Sequence, residues 1–349
     1  MNGTEPMLEH IRVSPAPHIS YRFTTRSVMI DVVIGLAPAL FAAGYFFRYY
    51  ALFLIAACVL SAVATEWICN LIRRKPNSLG DFSAVITGLI LALSLPPAIP
   101  IWAAVIGSSF SITIGKMVFG GLGSNIFNPA MVGRTFLTAC FGMLMTTWTV
   151  PADINARMPV VSAAMPNAVT QATPLAWSKQ AIKTRDVEDK AKLVPASRAN
   201  GLMADMFWGR VGGCLGETSA LALLLGGAYL LIRRTIQPHI PLAVLGSAFL
   251  IATVGYLINP DAFINPVAHL MGGGMLICAF FIATDPVTAP LTTKGMWIFG
   301  IGVGSITMLI RLVGEYPEGV MYAVLLMNGV TPLIDRYCRL VPAGGGGDA

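Results

Sequence analysis

The apolar stretch TGLILALSLPP, residues 87–97, is the most informative segment for the fold, because the chain contains a gapped copy of it. The copy reads GMLICAFFIATDP and covers residues 274–286. Counted along the chain, the two stretches lie in the third and eighth of ten apolar runs. Because equivalent runs are five helices apart, the chain divides into two halves of five helices each. An odd number of membrane crossings per half means that the second half starts on the opposite side of the membrane and is therefore inverted. The sequence therefore predicts inverted repeats, an architecture typical of transporters.

The composition indicates that these runs lie in a membrane. Hydrophobic residues make up 55% of the 349 residues and charged residues only 11%, whereas soluble domains carry roughly 25% charged residues. A helix of about 20 apolar residues spans a bilayer. The ten candidate spans are 28–47, 52–72, 82–95, 99–114, 128–148, 220–232, 240–257, 267–283, 296–312 and 320–334. The predicted fold is thus an all-α polytopic membrane protein.

One long polar loop separates the two predicted halves. Residues 149–218 contain eight basic and six acidic residues, about a third of all charges in the chain. We therefore predict an N-terminal segment at 1–27, a five-helix half at 28–148, this loop, a second half at 219–336 and a flexible tail at 337–349. The third and sixth runs are shorter than a full span, so they either gain flanking residues or are helices broken inside the bilayer.

The orientation follows from Lys and Arg in the short connections, because cations remain on the cytoplasmic side. With the N-terminus inside, the even-numbered turns hold Arg73, Arg74, Lys75, Lys116, Arg233, Arg234 and Lys294. The opposite short turns offer Arg48 and Arg311. Both termini are therefore predicted to be cytoplasmic and the 149–218 loop extracytoplasmic. The net charge of +6 is spread over helix ends, which does not favour nucleic-acid binding.

Five charged residues interrupt the apolar background: Glu66, Asp81, Lys116, Arg134 and Asp285. A charge at the centre of a membrane costs about 2.5 kcal/mol or more, so such residues are functional candidates. The alternative is that each lies at the interface and only anchors a helix end. Glu66, Asp81, Lys116 and Asp285 are the candidates for an ion path. Carboxylates bind Na⁺ and also titrate, so the residues leave the choice between Na⁺ and H⁺ open.

The run GGLGSNIFNPAMVGR, residues 120–134, combines glycines, two asparagines and a proline before a predicted helix. Glycines let the backbone approach a ligand, and free amide groups at a helix start attract anions. An ordinary loop and N-cap is the alternative. The six cysteines and four histidines lack metal-ligand spacing, so no metal site is predicted.

Three motifs together resemble the RnfD/NqrB family of membrane electron-transport subunits. They are the 120–134 run, FIATDPVTAP at 281–290 and YPEGVMYAVLLMN at 316–328. The resemblance extends from about residue 22 to residue 336, including the long loop. It implies a subunit of a translocase, an ion-translocating ferredoxin:NAD oxidoreductase (Rnf) complex in the bacterial inner membrane, moving Na⁺ or H⁺. The chain is expected to be inactive without the other Rnf subunits, A, B, C, E and G.

The resemblance also implies a covalent FMN on Thr173, attached through the ribityl phosphate by a separate flavin transferase. The family pattern for the attachment is Asp-x-x-Ser/Thr-Gly-Ala-Thr. Thr170, Ala172 and Thr173 match it, whereas Asn167 stands for the Asp and Gln171 for the Gly. These departures leave the acceptor hydroxyl in place. The Thr170 hydroxyl and the Gln171 amide are predicted local partners of the flavin.

The same family resemblance implies a second flavin, a non-covalent riboflavin, that binds between the two halves. Its candidate lining is Asn125, Asn128, Arg134, Asp285 and Thr288. Two other function classes stay open at this point. One is an inverted-repeat channel or secondary transporter for a small solute without a redox role, and the other is a passive assembly scaffold. Neither would need a flavin-accepting threonine.

Overall fold

The structure is a computed structural model that describes residues 24–75, 78–147, 175, 202–258, 263–314 and 318–338. The predicted flavin segment, Asn167, Thr170, Gln171, Ala172 and Thr173, lies outside these residues, as does most of the N-terminal segment and the tail. The described residues form helices connected by turns and contain no strand. The prediction of an all-helical chain is confirmed for this part.

The first half begins with α1 (Thr25–Ile72), a helix of 48 residues that is interrupted at Arg48. Arg48 has φ 55° and ψ −139°, which no helix accommodates, and its position matches the predicted break between spans 28–47 and 52–72. Four further helices follow: α2 (Ser83–Leu93), α3 (Ile101–Ile112), α4 (Pro129–Cys140) and the short α5 (Gly142–Met145). A π-helical turn, Thr113–Met117, extends α3.

The remaining helices follow the long loop. They are α6 (Leu202–Trp208), α7 (Ala220–Ile232), α8 (His239–Ile258), α9 (Pro266–Met271), α10 (Met275–Ile277), α11 (Thr293–Leu312) and α12 (Val320–Tyr337). A π-helical turn, Cys278–Ile282, continues α10. Helix α1 packs against α2, α3 and α7, while α11 packs against α8 and α12.

Three helices in the described part are long and apolar enough to cross a membrane: α1, α8 and α11. Their outward faces expose large apolar side chains, such as Phe41 and Leu60 on α1 and Leu257 on α8. Exposed apolar area of this extent marks a surface that contacts lipid or protein. The prediction of a membrane protein is supported by this surface, whereas the inverted repeat stays a prediction.

A break occurs in the eighth predicted span, 267–283, which the structure divides into α9, α10 and the following π-helical turn. For the third and sixth runs, the sequence left open whether they gain flanking residues or are broken. The sixth is one continuous helix of 13 residues, α7. The interruption lies at three consecutive glycines, Gly272–Gly274, and Gly273 has φ 65°. Glycine adopts this left-handed conformation without steric cost, so the helix can stop there.

Close helix contact through glycine should dominate the stability of the α1–α7 pair. A Cβ on Gly226 would overlap the carbonyl oxygen of Gly35, so Gly226→Ala forces the helices apart. Overpacking of this kind costs about 1–3 kcal/mol, and we expect a lower unfolding temperature in detergent. Gly246→Ala is the matched control, because a Cβ there meets nothing within 4 Å. Equal unfolding temperatures for the two variants would contradict this packing.

Candidate functional sites

The first candidate site is a cavity at the start of α4, here called the Asn128 cavity. Its volume is about 740 Å³, including the space at its open mouth. Its walls are mostly apolar, with Phe280 and Phe281 on one side. The polar side chains that line it are Ser83, Thr87, Lys116, Asn125, Asn128, Thr235, Thr284 and Asp285. Both predicted halves thus contribute to one recess.

Asn125 and Asn128 come together in this cavity as the sequence predicted. Asn128 is the N-cap of α4: its Oδ1 accepts from the Met131 amide at 3.3 Å, and its Nδ2 donates to the Ile282 carbonyl at 3.4 Å. Asn125 donates from Nδ2 to the Phe127 carbonyl at 3.2 Å, but its buried Oδ1 has no partner in the described part of the chain. The ordinary N-cap interpretation therefore applies to Asn128, while Asn125 keeps an acceptor available to a ligand.

Asp285 lines the same cavity and also fixes the turn that follows it. Its carboxylate accepts from the Val287 amide at 3.3 Å and from the Thr288 hydroxyl at 3.0 Å. Thr288 is buried, and its carbonyl accepts from the Thr331 hydroxyl. Thr288 thus supports the cavity by holding Asp285 and is not among the residues that line it.

A buried ion pair between Lys116 and Glu66 forms the wall beside the cavity. The Lys116 ammonium donates to the two carboxylate oxygens of Glu66 at 2.7 and 2.8 Å and to the Ser83 hydroxyl. Glu66 is completely buried and Lys116 is 2% exposed. The two charges therefore pair inside the protein, while their depth in the membrane stays a prediction.

Hydrogen bonds extend this pair in both directions. On one side the Ser83 hydroxyl donates to Asp81 at 2.6 Å. On the other side the Ser78 hydroxyl donates to Glu66, and Asn70 donates to Ser78 at 2.8 Å. The result is one continuous polar chain from half-buried Asp81 to buried Asn70. Three of the four predicted ion-path residues belong to it, while Asp285 lies across the Asn128 cavity.

The second candidate site is a cleft around Arg134, here called the Arg134 cleft. Arg134 lies six residues into α4 from Asn128, which is about 9 Å along the helix axis. Its Nη2 contacts three groups: the Glu318 carboxylate, the Glu217 carboxylate at 3.6 Å and the Cys214 sulfur at 3.5 Å. Arg134 is 3% exposed, so these charges are compensated inside the protein.

The glycine break after α9 forms the floor of this cleft. Glu318 accepts from the Gly274 amide at 2.6 Å. Arg311, at the end of α11, donates to the carbonyls of His269 and Gly272 at 2.6 and 3.0 Å. A Cβ on Gly273 would lie 2.5 Å from both Arg311 Nη2 and Glu318 Oε1. A side chain at this position would crowd the tips of Arg311 and Glu318, and the φ of 65° also favours glycine.

The open part of the Arg134 cleft has a volume of about 420 Å³. It is lined by Leu175, Met206, Val211, Gly212, Gly213, Glu217, Thr218, Met271, Gly272, Gly273 and Glu318. Leu175 is buried and packs with Met206, Ile264 and Ala268. It follows Thr173 by two residues in the sequence.

The sequence grouped Arg134 with Asn125, Asn128 and Asp285, but the structure places Arg134 in the other site. Asn128 caps α4 and Arg134 lies within it, so proximity in sequence did not mean one common site. Glu217 and Glu318 were not predicted from the sequence, and Arg311 was assigned only as a loop charge. A usable signal existed for Glu217, because it is an acidic residue directly before the apolar run of α7.

Apolar helices around buried ion pairs and two recesses that polar residues help to line define an integral membrane protein with charged sites inside its helical body. The model of the NQR2, RnfD, RnfE family matches residues 12–344. The chain belongs to this family, as the three sequence motifs predicted.

Several relatives are similar to this chain over nearly its full length. The chain is 42% identical over 332 residues to the D subunit of the Na⁺-translocating ferredoxin:NAD⁺ oxidoreductase complex of Acetobacterium woodii, covering 95% of this chain and 94% of the relative. It is 40% identical over 338 residues to the proton-translocating counterpart of Clostridium ljungdahlii, covering 95% and 96%. A third relative is the D subunit of the ion-translocating oxidoreductase complex of Cronobacter sakazakii, 37% identical over 350 residues, with 94% and 97% covered.

Proposed function

We propose that this chain is a membrane subunit of an Rnf-type ferredoxin:NAD oxidoreductase complex. In this proposal it relays electrons through FMN on Thr173 and couples their transfer to Na⁺ or H⁺ translocation. Full-length similarity to D subunits supports the assignment. The structural observation that carries it is the Arg134 cleft, because Leu175 lines this cleft two residues after Thr173.

In this proposal the ribityl phosphate binds near Leu175, which lines the open part of the Arg134 cleft and follows Thr173 by two residues in the sequence.

Arg134 offers donors to a flavin from behind the residues that line the open cleft. Among the described residues, its Nε and Nη1 groups are buried donors without a partner, and each such donor costs about 1–3 kcal/mol unless an acceptor is supplied. In this proposal a flavin carbonyl or phosphate supplies it, with Thr170 and Gln171 as further partners from the attachment segment. Bound FMN supplies one- or two-electron transfer, while the protein supplies position and electrostatics.

The Asn128 cavity is the proposed place of a second, non-covalent flavin, riboflavin. The cavity lies between residues of both predicted halves. The unpaired Oδ1 of Asn125 offers an acceptor, and the Phe280 and Phe281 walls offer apolar surface. Asn128, Asp285 and Thr288 would hold the shape of the cavity, whereas Arg134 belongs with the first flavin.

The polar chain from Asp81 through Lys116 and Glu66 is the proposed ion path, with Asp285 facing it across the Asn128 cavity. Charged groups buried together in a membrane protein typically mark such paths. The choice of ion does not follow from overall similarity, because the Na⁺-translocating and proton-translocating relatives are 42% and 40% identical to this chain. Sodium dependence of ion uptake by the whole complex distinguishes the two.

The proposed assembly contains the other Rnf subunits, A, B, C, E and G, in the bacterial inner membrane. Its membrane body consists of two inverted five-helix halves, 28–148 and 219–336, with both termini cytoplasmic and the 149–218 loop outside. Maturation requires a flavin transferase. The relatives' names support a multi-subunit complex.

In-gel flavin fluorescence of the denatured protein tests the attachment. We expect a fluorescent band from the wild type produced with a flavin transferase, and complete loss of this band in Thr173→Ala, because no other group carries the proposed phosphodiester. Thr147→Ala, at a half-buried threonine two residues before the same loop, is the control and should keep the band. An unlabelled wild-type band would refute the covalent flavin and favour a channel or transporter without a redox role.

A further inference from the structure

Glu217 is the one carboxylate of the Arg134 cleft that lacks a close partner for one of its oxygens. Its Oε2 accepts from the Cys214 amide at 3.3 Å, whereas its buried Oε1 accepts no hydrogen bond from the residues that the structure describes. The nearest cation is Arg134, at 3.6 Å. The Glu217 side chain is 4% exposed, so water does not satisfy this oxygen freely. A buried, unsatisfied carboxylate oxygen is costly, and a bound cation would relieve that cost.

The surroundings of Glu217 favour a proton over a metal ion. One ligand atom each from Cys214, Glu217 and Glu318 lies within 4.8 Å of the other two, which superficially suits a metal. However, Arg134 Nη2 already contacts all three residues and so occupies the position that an ion would take. A second positive ion beside this guanidinium would be repelled. A proton needs no such space, because it binds directly to an oxygen.

The charged side chains of the cleft allow one of its two carboxylates to bind a proton. Arg134 and Arg311 provide two positive charges, and Glu217 and Glu318 provide two negative ones. Two carboxylates this close in a buried site repel each other, so protonation of one is favoured. Glu318 is the better-held anion, because it accepts from Arg134 and from the Gly274 amide. Glu217 is therefore the carboxylate that takes the proton.

We propose that Glu217 is a reversible proton-binding site of the Arg134 cleft, with Glu318 remaining ionised beside it. The titratable or charged groups around it are Arg134 on α4, Cys214 in the preceding turn, Glu318 before α12 and Arg311 on α11. His269 on α9 lies behind Arg311, which binds its carbonyl. The proton comes from water at the open side of the cleft and returns there, so Glu217 alternates between carboxylate and carboxylic acid.

A role in coupling rests on the proposed function. With Glu217 protonated, the four side chains carry one net positive charge instead of zero. An electron added to a flavin in the same cleft would place negative charge beside them and favour this state. Proton uptake at Glu217 would then accompany reduction of the flavin in the cleft, whichever ion the whole complex translocates.

Infrared spectroscopy of the purified complex tests the site without using its activity. We expect a carboxylic-acid C=O band that shifts in deuterium oxide and disappears as the pH is raised. Glu217→Gln should remove this band. Asp31→Asn is the matched control: Asp31 is also buried, but Tyr229, Arg233 and Thr235 donate to its two oxygens, so the band should persist.

Two further variants test whether the infrared band belongs to Glu217 and whether Glu318 raises the pH at which it disappears. Glu318→Gln removes the neighbouring negative charge, so the Glu217 band should disappear at a pH lower by about one unit or more. Glu217→Asp keeps a carboxyl group at a changed distance and should keep a band with a displaced midpoint, even if Glu217→Gln does not fold. Absence of a titrating band in the wild type, or an unchanged band in Glu217→Gln, would overturn the proposal.

The Thr173→Ala complex distinguishes this proposal from the flavin attachment. Among the described residues, Arg134, Cys214 and Glu318 set the environment of Glu217, so the band should remain in this variant. A missing flavin with a persisting Glu217 band would leave the proton site standing. Loss of the band in a folded Thr173→Ala complex would count against the proton site.

Discussion

Lys116→Met is expected to lower the free energy of unfolding by about 3–5 kcal/mol, because it leaves a buried charge without its partner. Glu66 is completely buried, and both of its carboxylate oxygens accept from the Lys116 ammonium. The Ser78 hydroxyl remains as a donor, but a neutral hydroxyl cannot offset the charge. Thermal or denaturant unfolding of the detergent-solubilised protein measures the loss.

Arg233→Met is the matched control for Lys116→Met. Arg233 also pairs with a buried carboxylate, Asp31, but its own side chain is 53% exposed. Tyr229 and Thr235 continue to donate to Asp31 after the change. Exposed pairs contribute about 0–1 kcal/mol, so the loss should be small. The double variant Glu66→Gln with Lys116→Met should recover most of the stability. Equal losses for Lys116→Met and Arg233→Met would contradict the buried pair.

Arg134→Met is the second change with a large expected effect, a loss of about 3–5 kcal/mol. Arg134 is the main cation for both Glu318 and Glu217, so its removal leaves two buried carboxylates facing Arg311 alone. Removing Glu318 as well restores the charge balance between Glu217 and Arg311. The double variant Arg134→Met with Glu318→Met should therefore be more stable than Arg134→Met.

A double-mutant cycle over Arg134 and Glu318 measures this coupling directly. The single variants Arg134→Met and Glu318→Met and the double variant are unfolded under identical conditions. A coupling energy of about 1 kcal/mol or more, in the favourable direction, is expected for groups in direct contact. Additive losses would mean that the two side chains do not interact and would remove the basis of the Arg134 cleft.

Helix positions could be predicted well because membrane helices impose long apolar runs with polar ends. The predicted run 220–232 coincides with α7, and the predicted end of the second span at residue 72 coincides with the end of α1. The break at Gly272–Gly274 was not predicted, because glycine also occurs inside continuous helices of this chain, as at Gly226. Whether a glycine ends a helix depends on its contacts, here with Arg311 and Glu318.

Individual charged residues could be selected from the sequence, but their pairing could not. Glu66 and Lys116 were both chosen as candidates because charges in apolar runs are costly, yet nothing links positions 50 residues apart. Arg134 and Glu318 are 184 residues apart. Glu217 and Glu318 lie at the polar ends of helices, where an acidic residue usually faces water. Only the folded arrangement brings them under the same arginine.

Electron-driven ion uptake by proteoliposomes containing the whole complex tests the central claim most directly. Reduced ferredoxin and NAD⁺ drive the reaction, and Na⁺ and H⁺ uptake are recorded together with NADH formation. The proposed function predicts that the wild-type complex couples both processes and that an assembled Thr173→Ala complex loses both. Full NADH formation and ion uptake by the Thr173→Ala complex would contradict it and would assign this chain the role of a scaffold.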